Sequence, residues 1–206
     1  MHEKPSTSDA SGSGGSATTA QSSTVEPLDT VPLDPTRHRI NDFQCAKSAR
    51  CAGFFVRDMP RLVKAGYTKV FVFENPDDQA QIWGYYTLSP AQIRFNDLTK
   101  SQQKTVPGSI PVALARIGFL AKDDRAPAKL GAGLLVDAAR RVLRSDAITA
   151  WGIILEPEGG RGNAKLWSWY ETTMGFTLIA PEETGAEPQS MYCPLKRLIP
   201  EEWDQR

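Results

Sequence analysis

Apolar positions recur along this chain with two different periods, and its first stretch has neither. From about residue 40, Phe43, Ala46, Ala49, Ala52, Phe54, Phe55, Met59, Leu62 and Val63 return at roughly helical spacing, with Lys47, Arg50, Arg57, Arg61 and Lys64 between them. This spacing predicts helix, divided or kinked at Pro60, which has no N–H to donate, and ended at Gly66. Residues 69–74 then alternate as a strand. Asn75-Pro-Asp-Asp supplies a turn, and residues 81–88, with Trp83, Tyr85 and Tyr86, return as the second arm of a hairpin. Residues 89–109 are polar, contain Pro107-Gly108, and are expected to be loop with one short helix.

Residues 110–122 form a long apolar segment that reads as a central strand. A polar loop, 123–129, leads into an amphipathic helix over 130–144. There Leu130, Leu134, Leu135, Ala138, Val142 and Leu143 face inward, and Arg140, Arg141 and Arg144 face out. Residues 150–155 are a further buried strand, 157–162 a loop and 163–173 a helix. Segments 175–179 and 190–195 are a last strand pair around the turn-rich 181–189. The expected architecture is α/β of the α+β kind: one mixed sheet flanked by helices.

Composition changes this picture at the N-terminus. Residues 1–36 are rich in Ser, Thr, Gly, Ala and Pro and carry almost no large apolar side chain. Such a segment cannot bury enough surface to offset its ordering entropy. It is expected to be a disordered tail before a domain spanning 37–206, and its deletion to leave stability and ligand affinity nearly unchanged. The tail holds Glu3, Asp9, Glu26, Asp29 and Asp34 against Lys4, about −4 in a chain of zero formal charge. The remainder is then about +4, which permits an anionic ligand. No apolar run approaches the roughly 18 residues of a membrane span, and the start lacks the apolar core of a signal peptide. The expectation is a cytoplasmic protein with no membrane partner. Three cysteines, Cys45, Cys51 and Cys193, make no disulfide framework and have no zinc-ligand spacing. His2 and His38 are the only histidines, so a His-based triad or His-rich metal site within the fold is not expected.

One local pattern carries chemistry. A central strand, a short loop and an amphipathic helix aim the first N–H groups of the helix at one point, where the helix dipole also favours an anion. Gly131, Ala132 and Gly133 are small enough for backbone to approach that anion. They equally permit close helix–sheet packing.

Three stretches in this order resemble the GNAT N-acetyltransferases. They are Trp83-Gly-Tyr-Tyr-Thr-Leu-Ser; then Ile110-Pro-Val-Ala-Leu with Gly118-Phe-Leu-Ala-Lys-Asp and Leu130-Gly-Ala-Gly-Leu-Leu-Val-Asp-Ala-Ala-Arg-Arg; then Asn163 with Trp169-Tyr170-Glu171 and Gly175-Phe176. With Phe43-Gln-Cys45, they are most similar to the GNAT toxins of bacterial toxin–antitoxin pairs, and the resemblance covers roughly 40–197. It implies acetyl-CoA as co-substrate and no metal. Backbone at Leu120, Ala121 and Lys122 would meet the amide groups of the coenzyme, and Arg125, Lys129, Leu130, Gly131, Ala132 and Gly133 its pyrophosphate. Asn163 would contact its arm, and Tyr170 would be the acid for the departing thiolate. The implied partners are an acceptor amine, in the toxins the amino group of aminoacyl-tRNA, an antitoxin protein and a second copy of the chain.

Two departures stand out. The family loop usually reads Gln or Arg, two residues, Gly, any residue, Gly or Ala. With Gly131 as the last glycine, Lys129 replaces the earlier one and Ala126 the Gln/Arg; a one-residue gap brings Arg125 into the basic position instead. Four residues rather than three separate Tyr170 from Gly175. Glu156 is a candidate base or an ordinary solvated carboxylate. Arg140, Arg141 and Arg144, with Arg94 and Arg116, are candidate RNA contacts or ordinary surface charge. A GNAT enzyme acting on a small amine or protein N-terminus, and an interaction module that has lost coenzyme binding through Lys129 and Pro127, remain open.

Overall fold

The computed structural model describes residues 28–106, 110–146, 149–179 and 190–204. Residues 1–27 of the expected tail, Pro107-Gly108 and the turn-rich 181–189 lie outside the described residues. A seven-stranded sheet runs in the order β1 (Val31–Pro32), β2 (Lys69–Asn75), β3 (Asp78–Ile93), β4 (Val112–Lys122), β5 (Gly152–Leu155), β7 (Met191–Pro194), β6 (Thr177–Leu178). Only β4 and β5 pair in parallel; every other pair is antiparallel. The expected single mixed sheet flanked by helices is the one observed.

The period-two pattern puts alternate side chains on opposite faces. Val70, Val72 and Tyr85 pack on one face with Phe43, Phe54, Phe55 and Met59. Phe71 and Tyr86 pack on the other, against Leu134, Leu135, Ala138 and Val142 of helix α4 (Leu130–Leu143). The hairpin turn is closed by Asn75, whose side-chain oxygen accepts the Asp77 N–H at 3.0 Å.

Helix begins later than the spacing predicts. Ser48 caps α1 (Ala49–Gly53) by accepting the Cys51 N–H at 2.9 Å. A wide π turn over Phe54–Asp58 then joins it to α2 (Met59–Lys64), where Pro60 sits in the first turn. Gly66 ends the run at φ 72°. Residues 43–47 are not helical. Strand β3 is longer than expected: Ser89 to Ile93, read as loop, pair with Val112 to Arg116 of β4. Their polar character hides the strand, because only Ile93 of the five is buried. Short helices α3 (Lys100–Gln103), α6 (Leu195–Leu198) and α7 (Pro200–Trp203) complete the set with α5 (Ala164–Ser168). The last two were not expected, although Pro200 followed by Glu201 and Glu202 is a helix-start pattern.

The tail boundary needs correction. Residues 28–36 belong to the fold. β1 pairs with β2, and Thr30 is buried. The Thr30 hydroxyl donates to Asp137 Oδ2 at 2.5 Å, the Tyr86 hydroxyl donates to the same oxygen at 2.6 Å, and Arg141 donates to the Thr30 carbonyl at 2.7 Å. Composition misses this because the order comes from partners distant in the chain, up to 111 residues away. Deleting residues 1–36 should therefore destabilise the protein by about 3–5 kcal/mol, since a buried charged network loses a member, and lower Tm by on the order of 10 °C. Calorimetry checks this; a Tm unchanged within about 2 °C would contradict the clamp.

Candidate active site

β4 and β5 pair only as far as Ile117 and Leu155. β5 ends there, whereas β4 runs five residues further, to Lys122. Over residues 118–122 the edge of β4 that faced β5 has no described strand beside it. On its other side β4 carries a bulge: Tyr86 faces Leu120 and Leu88 faces Ile117, so Thr87 alone opposes Gly118 and Phe119. The buried Thr87 hydroxyl accepts the Phe119 N–H at 3.0 Å and anchors the bulge.

The gap opens into a cleft of about 1770 Å³, lined by the open end of β4, the start of α4, the segment after β5, α1 and the helix bearing Tyr170. Pockets for one small ligand hold roughly 300–1,000 Å³, so this cleft has room for two. Its described lining carries seven cations (Lys47, Arg50, Arg116, Lys122, Lys129, Lys165, Arg197) and three carboxylates (Asp124, Glu156, Glu158). That balance favours anionic ligands.

Of the positions expected to hold a coenzyme, Leu120, Ala121, Lys122, Lys129, Leu130, Gly131, Ala132, Gly133 and Asn163 all line the cleft. The first turn of α4 has no capping side chain; the Leu130 N–H reaches the Pro127 carbonyl at 3.4 Å, and the N–H groups that follow it point toward the cleft end of the helix. A Cβ on Gly131 would meet nothing within 4 Å, whereas one on Gly133 would come 2.6 Å from Leu28 Cδ1. Gly131 thus faces open space, and Gly133 lets the N-terminal segment cross the helix. Lys122 offers backbone only, because its ammonium donates to the Ala126 carbonyl at 3.0 Å. Asn163 caps α5 by accepting the Leu166 N–H at 3.3 Å.

Arg125 is placed elsewhere. Its guanidinium grips Asp123 at 2.7 and 2.8 Å and donates to the Asp42 carbonyl at 2.7 Å. Asp123 is fully buried and demands that cation. Burial pushes its carboxyl up, but hydrogen bonds from Arg125 and from the Gln44 and Arg125 N–H groups outweigh this and hold it below the usual carboxylate range. The same loop fixes residues 42–46, because Asp124 accepts the Ala46 N–H at 2.8 Å. This gives Phe43-Gln-Cys45 its role: it carries the chain across the cleft wall and places Cys45 in the lining.

Tyr170 is 6 % exposed, lines the cleft, and packs edge-on against Trp169 and Phe176. Its hydroxyl has no hydrogen-bond partner among the described residues. Burial foremost, and the nearby Cys51, push its phenol pKa up, so it keeps its proton. The extra residue before Gly175 is explained by a π turn over Trp169–Thr173, which takes up more residues than an α turn.

The expected RNA-facing arginines are largely engaged. Arg140 and Arg144 both pair with Glu202. Arg141 is drawn into the Thr30–Tyr86 network and lies over Phe71 at 4.1 Å. Arg116 pairs with Glu156 at 2.6 Å, which leaves Glu156 poorly suited as a base. His38 is buried away from the cleft, between the Asp34 N–H and Glu74. Sequence reasoning missed Cys51, Glu158 and Arg197 as lining residues; none sits in a motif, and only the fold assembles them. Among the described residues no group of His, Cys, Asp and Glu could hold a metal, and no helix is long and apolar enough to cross a membrane.

A parallel pair splayed beside a bulge, with a helix N-terminus facing the gap, matches the fold of the solved GNAT toxins KacT and AtaT. No family model matches the chain. KacT, solved as a tyrosine-to-phenylalanine mutant, matches with a TM-score of 0.67 at 21% identity, over 84% of this chain and 98% of that one. AtaT complexed with acetyl-methionyl-tRNAfMet matches with a TM-score of 0.66 at 22% identity, over 82% and 95%. AtaTR bound with AcCoA gives 0.64 at 23%, over 84% and 96%.

Proposed function

We propose that the protein transfers the acetyl group of acetyl-CoA to a primary amine, and that the acceptor is the amino group of an aminoacyl-tRNA. The observation that carries this reading is the protonated hydroxyl of the buried Tyr170, without a partner among the described residues, in a cleft that also holds the open edge of β4 and the N-terminus of α4. In this reading the pyrophosphate lies against Gly131, Ala132 and Gly133, with Lys129 as a mobile charge. The 118–122 edge hydrogen-bonds the extended arm and orients the thioester. Tyr170 gives its proton to the departing sulfur. Lys129 and Pro127 stand beside the cradle without filling it, since the space off Gly131 is open.

The tRNA acceptor is supported by the cationic mouth of the cleft and by AtaT, whose structure holds an acetylated methionyl-tRNA. The neighbours also include AtaT bound to the antitoxin AtaR. An antitoxin partner and a second copy of the chain are part of this proposal. The test is acetyl transfer by purified protein to charged tRNA and to simple amines, side by side. Transfer to small amines alone would replace the tRNA reading; no transfer to any amine would overturn the enzyme reading.

A further inference from the structure

Leu28 belongs to the N-terminal segment and still lines the cleft. Its side chain crosses α4 at Gly133, where an added Cβ would lie 2.6 Å from Leu28 Cδ1 and 2.8 Å from Cγ. Gly133 is two residues beyond Gly131, about 3 Å along a helix that rises about 1.5 Å per residue. The crossing is fixed on both sides. Val31 pairs with Val72, and the Leu33 N–H donates to the Val70 carbonyl at 3.0 Å. The Thr30 hydroxyl is held by Asp137, one helical turn along α4 from Gly133. A glycine and a buried carboxylate on α4 thus pin an apolar side chain beside the start of that helix.

Two aromatic rings complete this surface. Phe73 of β2 and Trp83 of β3 line the cleft with ring centroids 6.4 Å apart, and like Leu28 both are only half-buried. Trp83 stands beside the end of β4, where its carbonyl accepts the Asp123 N–H at 2.8 Å. The cleft therefore reaches from the open edge of β4, past the start of α4, to a shelf of Leu28, Phe73 and Trp83 on the β3 side. A half-exposed aromatic face next to an anion cradle suits a planar heterocycle carried on a phosphate. The reacting end of the cleft is marked separately, by the nine-tenths-buried Tyr170 hydroxyl, unpartnered among the described residues. A ligand that brings a thioester to Tyr170 and a pyrophosphate to α4 has its purine base left to place.

We propose that the shelf of Leu28, Phe73 and Trp83 seats the purine base of the coenzyme, with Trp83 as the stacking surface and Leu28 as the wall that bounds it. This rests on the acetyl-transfer reading. The N-terminal segment is then part of the coenzyme site, and Thr30 is a positioning residue that holds Leu28 in place through Asp137.

Trp83→Leu keeps an apolar side chain and removes the ring. The experiment measures acetyl-CoA affinity by calorimetry, and kcat/KM for acetyl-CoA and for S-acetylpantetheine, which carries the thioester without the nucleotide. Melting temperature is followed alongside. Loss of one stacked ring should weaken acetyl-CoA binding about tenfold and lower the preference for acetyl-CoA over S-acetylpantetheine by the same factor. Trp83→Phe, which keeps a ring, should recover most of this. Leu28→Ala should lower the same preference about threefold. Unchanged acetyl-CoA affinity in Trp83→Leu, or an equal loss on both thioesters, would make the shelf ordinary packing and overturn the proposal while leaving acetyl transfer standing. A wild type that neither binds acetyl-CoA nor acetylates any amine would overturn both.

Discussion

Tyr170→Phe should lower the rate of acetyl transfer by roughly 10²–10⁴ while leaving the fold and acetyl-CoA affinity close to wild type. The ring carries the packing against Trp169 and Phe176, and phenylalanine keeps the ring. The hydroxyl is hydrogen-bonded to no described residue, so its loss leaves no orphaned partner. Because burial, with Cys51 beside it, raises the phenol pKa, the proton stays in place throughout the working range. The wild-type rate should accordingly show no decline below pH 10 from loss of this proton. Expression of the wild type should arrest bacterial growth if charged tRNA is the acceptor, and the Phe variant should be tolerated. Equal turnover of the two proteins would remove Tyr170 from the mechanism. A variant that is less stable but turns over normally per folded molecule would make the residue structural.

Gly131→Glu should weaken acetyl-CoA binding by about 10³-fold. Two like charges 4 Å apart near a protein surface repel by about 4 kcal/mol, and each 1.4 kcal/mol is tenfold in affinity. The substitution is clean because a Cβ at Gly131 meets nothing within 4 Å and the backbone there is helical. Melting temperature should move little, which separates loss of the site from loss of the fold. Gly131→Ala controls for bulk and should bind within severalfold of wild type. A Glu variant that binds normally would move the pyrophosphate away from α4. Gly133→Ala would test another matter, because its methyl group would displace Leu28.

Much of the site was legible because its parts are local. The strand, loop and helix of the proposed anion cradle are consecutive in the chain, and their periods of two and 3.6 are written in residues 112–122 and 130–143. Gly131, Tyr170 and Asn163 were singled out through motifs local in the chain, and all three line the one cleft. The bulge at Gly118 and Phe119 is not written in residues 112–122 alone, because its anchor, Thr87, lies on a different strand.

The amino-acid sequence by itself determined the order of elements, the mixed sheet, the small residues at the start of α4 and the tyrosine on the helix after β5. These follow from spacing and from side-chain volume, which need no knowledge of what lies opposite. Only the tertiary structure decided which charges are free. Arg125, Arg140, Arg141, Arg144 and Glu156 all looked available in the sequence; Arg125 is held by its neighbour Asp123 and the distant Asp42 carbonyl, and each of the others is paired with a group far off in the chain. Glu158, in the lining of the same cleft, has no cation partner among the described residues. The N-terminal segment shows the same division: residues 28–36 carry too little apolar surface to order themselves, and become ordered because Asp137, Tyr86 and Arg141 offer partners to Thr30. A buried charge is satisfied by whatever group the fold brings within about 3 Å, and that pairing is set by distance in space, which sequence separation does not encode.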